Sequence, residues 1–360
     1  MRKMKLLGAA GLMAVALGAS PAWADGTAAN TTVTNQATLS YQSGGVAQNN
    51  VNSNVATFQV DRKINLNVAE VGNAATLVAG AGVADQVTTF TVQNTSNQTL
   101  DFALLATNQV TGTAAPFGGT DSFDVTNIRY YVESGTTPGF DATDTLVTFL
   151  DELPADATRT VYVVANVPAN LPNAAVASIV LTATAREGGA AATQGAAITQ
   201  TTGADTAAVD TVFADGAGAT DAARDGAFSS RDQYTIQAAV LAFIKTATVI
   251  SDPVNLTTNP KAIPGAVIEY CLIVNNTGST PATAVNVTDS IANQPITYVA
   301  NSGLVGGLAV AAGQSFACDQ TAANTGTATG ASFTAPTFTG AIGTVPANSQ
   351  RTARFRVTIN

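Results

Sequence analysis

The chain contains no histidine among its 360 residues. That removes Ser-His-Asp and Cys-His nucleophile systems and every histidine-ligated metal site, leaving carboxylate, lysine or tyrosine chemistry. The acids gather in one place: Asp205, Asp210, Asp215, Asp221, Asp225 and Asp232 all lie in one stretch. Calcium favours such clusters of oxygen ligands. The spacing is not Asp-x-Asp-x-Asp-Gly, however, and Asp215-Gly216 and Asp225-Gly226 are ordinary turn signals. The stretch reads first as a solvated linker and second as a calcium site. Asp151-Glu152 would make a carboxylate pair for glycoside hydrolysis, but neighbours on a strand point to opposite faces. Tyr130, Tyr131, Tyr162 and Phe149 would line a sugar platform, although alternating strand aromatics are usually core. There is no Gly-x-Ser-x-Gly elbow and no phosphate-binding loop, and Gly216-Ala217-Gly218 lacks the third glycine of a dinucleotide fingerprint. The expectation is a non-catalytic protein with no catalytic residues, no cofactor and no dedicated metal ligands.

What would position these residues is a pattern written twice. Thr91-Val92-Gln93-Asn94-Thr95 is matched by Ile273-Val274-Asn275-Asn276-Thr277, 182 residues later. Leu153-Pro154-Ala155-Asp156-Ala157-Thr158-Arg159-Thr160 is matched by Val345-Pro346-Ala347-Asn348-Ser349-Gln350-Arg351-Thr352, 192 residues later. Two pairs in the same order at nearly the same offset argue for a duplicated structural unit. Each places a strand beside a turn, as a β-sandwich does.

The first residues read as a secretory signal peptide: Arg2, Lys3 and Lys5, then the apolar run Leu6 to Ala19, then the small-x-small site Ala22-Trp23-Ala24. Cleavage would leave Asp25 first, with no membrane span after it. With those three basic residues removed, 12 of the 15 Lys and Arg remain against 24 acids, a net charge of −12. Such a chain is repelled by nucleic acid and by anionic membrane surfaces. Its expected partners are itself, in a filament or surface layer, or cell-surface and extracellular polymers. The expected location is extracellular or the cell surface, with the periplasm as the alternative. In that compartment two cysteines suggest one disulfide, Cys271 to Cys318, with two free thiols as the alternative. If Tyr270, Leu272 and Val274 face the core, Cys271 faces outward and its partner must come from an overlying loop.

Period-two alternation predicts strands over 31–41 and 55–60, a hairpin turning at Ser43-Gly44-Gly45. Such a hairpin is too small to be stable alone and must dock on its own first domain or on a neighbour. Further strands are expected at 64–68, 86–93, 99–106, 125–132, 145–150, 159–166 and 175–185. One more, 209–213, lies inside an Ala/Gly/Thr/Asp-rich connection. A second set follows at 238–249, 266–274, 284–288, 296–299 and 352–359. No helical periodicity appears beyond the apolar leader. The expected organisation is a signal peptide (1–24), an N-terminal hairpin segment (25–60), a first sandwich (61–187, its last strand within 205–215), a connection (188–233) and a second sandwich (234–360).

The C-terminal part resembles a known family. Lys245-Thr246 leads to Asn259-Pro260-Lys261-Ala262-Ile263-Pro264-Gly265, then to Glu269-Tyr270-Cys271-Leu272-Ile273-Val274-Asn275-Asn276-Thr277-Gly278 and Pro281-Ala282-Thr283-Ala284-Val285-Asn286-Val287-Thr288-Asp289. Ile296-Thr297-Tyr298-Val299 and the Pro346-Ala347 turn complete it. This resembles the conserved-repeat family of bacterial and archaeal surface proteins, the domain of unknown function numbered eleven. The likeness covers about the last 120 residues. It is fainter in the middle, where Asn97-Gln98 stands in place of a Gly turn. Thr34-Asn35-Gln36-Ala37-Thr38-Leu39-Ser40-Tyr41 is also similar to the start of such secreted proteins. The resemblance implies tandem immunoglobulin-like sandwiches in a surface or extracellular protein and carries over no catalytic residue. The expected function is structural or adhesive, with assembly by strand addition as its sharper form. The alternative is an extracellular polysaccharide- or calcium-binding module.

Overall fold

The computed structural model describes residues 26–312 and 315–360. The expected signal peptide and its cleavage site lie outside the described residues. Every regular element within them is a β-strand, so the fold is all-β.

In the first body two five-stranded sheets share one core. One sheet runs in the order Thr145–Val147, Thr126–Val132, Thr158–Asn166, Gln86–Asn94, Leu66–Glu70. The other runs Phe149–Leu153, Leu100–Asn108, Val176–Glu187, Ala227–Gln237, Thr76–Ala79. Alternation selects the inward face: along Gln86–Asn94 it is Thr88, Phe90, Val92 and Asn94 that are buried. They meet Phe102, Leu104, Ile179 and Leu181 from the opposite sheet. Full burial of each such apolar side chain contributes roughly 1.5–3 kcal/mol.

The second body is smaller. Leu241–Ser251, Val267–Asn276, Ser349–Ile359 and Ile296–Tyr298 form one sheet in that order, with Leu304–Gly307 also pairing to Ser349–Ile359. The facing sheet has three strands, Ala282–Ser290, Thr337–Val345 and Ala331–Thr334. Its core centres on aromatic rings. Phe338 stacks on Phe355 with centroids 4.6 Å apart, and Tyr298 stacks on Phe333 at 4.0 Å.

The sequence matches have a structural counterpart. Asn94 is buried, and its amide donates to the carbonyls of Gln98 and Leu153, both at 2.9 Å, while its Oδ1 accepts from Ser96 N–H at 3.0 Å. Asn276 is buried too. It donates to the carbonyls of Thr280 (2.8 Å) and Val345 (3.2 Å) and accepts from Gly278 N–H at 3.0 Å. Leu153 and Val345 open the second matched segment, so each asparagine ties the end of one sheet to the end of the other. In the turn that follows, Asp156 and Asn348 adopt positive φ, 63° and 49°, a conformation that Asp and Asn tolerate better than most residues.

One expected boundary is corrected. Residues 188–233 are not simply a connection, and the second sandwich does not begin at Tyr234. Ala227–Gln237 is a strand of the first body, antiparallel to Val176–Glu187 and parallel to Thr76–Ala79, with Tyr234 and Ile236 in the first core. Its polar residues Ser229, Asp232 and Gln233 are buried, which is why composition alone reads it as linker. The expected 209–213 strand is Thr211–Phe213, paired in parallel with Arg62–Ile64. The cores change over at adjacent residues: Ala238 packs on the first and Ala239 on the second.

Candidate functional site

The N-terminal segment forms an arm. Thr32–Asn35 pairs with Ala56–Gln59, setting Val33 opposite Phe58, and Thr38–Leu39 pairs with Val51–Asn52, setting Leu39 opposite Val51. Gln42–Ser43 and Val46–Ala47 close the tip through Gly44 and Gly45. Those glycines have φ of 61° and 81°, the pair of positive angles that a two-residue type I′ hairpin turn requires. At about 3.3 Å per residue the ladder reaches roughly 40 Å from base to tip.

The arm's hydrogen bonds to the first body, among the described residues, lie at its base. Ala29 N–H donates to Asn97 O at 3.0 Å, and the Asn97 amide donates to Thr27 O and Asp61 O at 3.2 and 2.8 Å. Leu39, Tyr41, Val46, Val51 and Val55 beyond the base, and Phe58 next to it, are all exposed. No charged residue occurs between Asp25 and Asp61. Among the described residues the arm meets its own first body near its base, where Thr57, Phe58 and Gln59 line a cleft with Asp205, Thr206 and Ala207.

The acidic stretch is not a solvated linker. Asp215 accepts from the N–H groups of Asp225 and Gly226, both at 3.0 Å, and Asp225 from Ala227 N–H at 2.9 Å. Asp221 accepts from Gly218 N–H at 2.9 Å and from the Ser229 hydroxyl. These carboxylates lock successive turns. Asp232 is buried between the sheets, and desolvation, reinforced by the nearby Glu70 charge, pushes its carboxyl up to about 7. Asp205 and Asp210 do come together, with Asp61 as third member: their oxygens lie within 4.8 Å of one another at the base of the arm. Asp210 already accepts from Thr206 N–H and Oγ1, both at 2.9 Å, and Asp61 from Asp210 N–H at 2.8 Å. Asp61 lies far outside the acidic run, so spacing within that run does not reveal it.

The expectation that Asp151 and Glu152 diverge is also corrected. Glu152 has a φ of 45° at an irregular point of its strand, and oxygens of Asp101, Asp151 and Glu152 converge within 4.8 Å. All three are engaged with one loop. Asp101 accepts from Gly195 N–H and Asp151 from Ala192 N–H, each at 2.9 Å, and Glu152 from Gly189 N–H. They act as a clasp rather than as an acid–base pair.

The aromatics do not make an open platform. Tyr130 OH accepts from Ala106 N–H at 2.8 Å, holding the two sheets together. Tyr131 meets the edge of Phe140 at 4.9 Å, and Phe140 meets Tyr162 at 5.9 Å. Tyr162 is buried beneath the loop after Thr126–Val132 and donates to Glu133 at 2.6 Å; burial, with that acidic neighbour, pushes its hydroxyl up to about 12.

Cys271 and Cys318 form a disulfide, Cα atoms 5.5 Å apart. As the alternation demands, Cys271 points away from the second core, and its partner comes from an overlying hairpin, Ala309–Ala312 paired with Ser315–Cys318. Beside it lies an ion cluster that sequence reasoning missed. Buried Glu269 receives Arg356 Nε at 3.0 Å, Gln320 Nε2 at 2.6 Å and Arg354 Nη1 at 3.6 Å. Arg354 and Arg356 stand two apart on the final strand, hence on one face, which is the signal that would have found them.

No family model matches the chain, and no curated protein matches it. Solved structures similar to it over most of its length include the CupB6 tip adhesin from Pseudomonas aeruginosa, at 9% identity and a TM-score of 0.22, covering 92% of this chain and 89% of that one. The class 5 fimbriae chaperone CfaA gives 7% identity and a TM-score of 0.19, covering 79% and 83%. A mutant of the CFA/I enterotoxigenic E. coli adhesin CfaE gives 10% and 0.18, covering 83% and 76%. At these scores the fold assignment stands on strand pairing and on the cores alone. No helix among the described residues is long and apolar enough to cross a membrane.

Proposed function

We propose that this chain is an exported, non-catalytic structural or adhesive protein of the conserved-repeat surface family it resembles. In this reading two tandem immunoglobulin-like sandwiches act at or beyond the cell surface, and copies join by strand addition through the N-terminal arm. The observation that carries it is the arm: a ladder with unpaired outer edges, exposed apolar side chains and no charge, its hydrogen bonds to the first body gathered at its base. Monomeric proteins blunt such edges with charges, prolines or cover, and an extended segment pairs readily with an open sheet elsewhere. Beyond the arm the exported chain is acidic, net −12 with the leader removed, so copies repel except where charge is absent. Electron microscopy of the mature protein with and without residues 25–60 tests it. Filaments with the arm and single particles without it are expected, and single particles in both sink the reading.

A second reading is an extracellular binding module, and the Asp61, Asp205 and Asp210 group favours calcium over polysaccharide as its ligand. Calorimetric titration with calcium and a glycan array test it. Saturable heat that is lost in Asp205→Asn supports it; flat responses in both assays remove it.

A further inference from the structure

Register measured from the repeated asparagines makes the two bodies comparable residue by residue. Asn94 pairs with Leu66 and Val92 with Val68; Asn276 pairs with Leu241 and Val274 with Phe243. Directly opposed residues of an antiparallel pair share a face. Leu241 and Phe243 therefore lie on the side that carries the core residues Leu272 and Val274. Yet Leu66 and Val68 are each 2% exposed, whereas Leu241 and Phe243 are 48% and 57% exposed. They are core positions without a core.

The cause lies in the opposite sheet. In the first body Leu100–Asn108 is followed by Val176–Glu187 and then Ala227–Gln237, an antiparallel pair whose second member packs across Leu66–Glu70. Ala282–Ser290 holds the place of Leu100–Asn108, each beginning six residues after its asparagine, and there the sheet order of the second body ends. Leu241–Ser251 thus overhangs an open mouth. One ion pair crosses it, Lys245 to Asp289 at 2.6 Å, with the Lys245 ammonium 4.3 Å above the centre of the Tyr270 ring.

We propose that this mouth, between Leu241–Ser251 and Ala282–Ser290, is the acceptor for the N-terminal arm of a second copy of the chain. The inference rests on the assembly reading above and names its partner surface. What the mouth lacks is two antiparallel strands in succession, and the arm is a two-stranded antiparallel ladder. The absent pair has 12- and 11-residue counterparts in the first body, and an eleven-residue strand spans roughly 36 Å, close to the arm's reach. The chemistry agrees: the arm has no charge, and between Asp232 and Asp252 the only charged residue is Lys245, already matched by Asp289. The other sheet ends among the described residues offer less. Thr145–Val147, Ile296–Tyr298, Thr76–Ala79 and Ala331–Thr334 have three or four residues, and Leu66–Glu70 and Phe149–Leu153 have five. Arm and mouth are different surfaces, so the contact is head-to-tail and propagates as an open filament unless its rotation closes a ring.

The test uses two full-length variants and sedimentation velocity. One is blocked at the mouth, Leu241→Lys with Phe243→Lys; the other at the arm, Leu39→Lys with Phe58→Lys. All four positions are exposed in the single chain, so circular dichroism of each variant should match the parent. The parent is expected to form a ladder of oligomers, each variant alone to lose every species larger than one chain, and an equimolar mixture to give dimers and nothing larger. A mouth variant that assembles like the parent while the arm variant does not would overturn the acceptor and leave arm-mediated assembly standing. Two monomeric variants that fail to dimerise when mixed would overturn the pairing. A parent that stays monomeric at every concentration would remove both readings.

Discussion

The first body covers itself with chain, and the second covers itself with a covalent bond. Residues 176–237 supply the strands that close over Leu66 and Val68 in the first body. The second body has no such strands among the described residues. It instead pins the Ala309–Cys318 hairpin to the outer face of its larger sheet through Cys271–Cys318 and the Glu269, Arg354 and Arg356 cluster. A smaller core gives less hydrophobic stabilisation per ordered residue, and small domains short of core commonly add disulfides. The difference teaches that one repeated motif fixes strand register but not closure, which depends on segments outside the motif.

If the bodies hold independently, damage to one should leave the other standing. The largest effect is expected at Phe355, fully buried and in ring contact with Tyr270, Tyr298 and Phe338. Phe355→Ala should destabilise the second body by about 3–5 kcal/mol. Calorimetry should show one transition falling and one unmoved; two transitions falling together would break the comparison. Removing the staple comes next. Cys271→Ala with Cys318→Ala opens a 47-residue separation and should cost about 2–4 kcal/mol, again in one transition, and reduction should leave the variant unaffected.

What could be read from the sequence follows the range of each interaction. Strands such as Gln86–Asn94 and Val267–Asn276 announce themselves by alternation, and the outward Cys271 followed from parity alone. Ala227–Gln237 did not, because it buries polar residues on both faces, Asp232 on one and Ser229 and Gln233 on the other, and its antiparallel partners lie over 40 residues away. The Asp61, Asp205 and Asp210 group and the Asp101, Asp151 and Glu152 clasp were illegible for the same reason. Each is assembled by pairing across more than 40 residues, and Glu152 also needed a backbone irregularity that alternation does not encode.

Asp232 sharpens the contrast by pH. Its carboxyl is raised from 3.8 to about 7 in the fold, so the unfolded chain ionises first. Stability contributed by the neutral form is complete below about pH 4 and lost as pH rises through 7. Asp232→Asn should flatten that slope and raise the first transition above pH 7 by on the order of 2–3 kcal/mol, leaving the second unchanged. Urea titrations at pH 5 and pH 8 would measure it, and an unaltered slope would show that another group carries the proton.

The repeated asparagines should give a matched pair. Asn94→Ala strands the Leu153 carbonyl and Ser96 N–H, and Asn276→Ala strands the Val345 carbonyl and Gly278 N–H. Each should cost about 1–3 kcal/mol in its own body, since buried groups lose their partners. Denaturant midpoints should shift by similar amounts, and a large inequality would mean that the sheets are tied elsewhere in one of them.

The smallest effect is the most discriminating. Leu66→Ala and Leu241→Ala are the same chemical change at the same register. In the first body the change opens a cavity and should cost about 2–5 kcal/mol. At Leu241, half in water, it should stay within about 0.5 kcal/mol in the isolated chain. The two positions become alike only once something lies across the second. Under assembling conditions Leu241→Ala should therefore acquire a penalty approaching that of Leu66→Ala, read as a loss of thermal stability that depends on protein concentration. An effect at Leu241 that is small and independent of concentration would show that its face stays wet in every state the protein adopts.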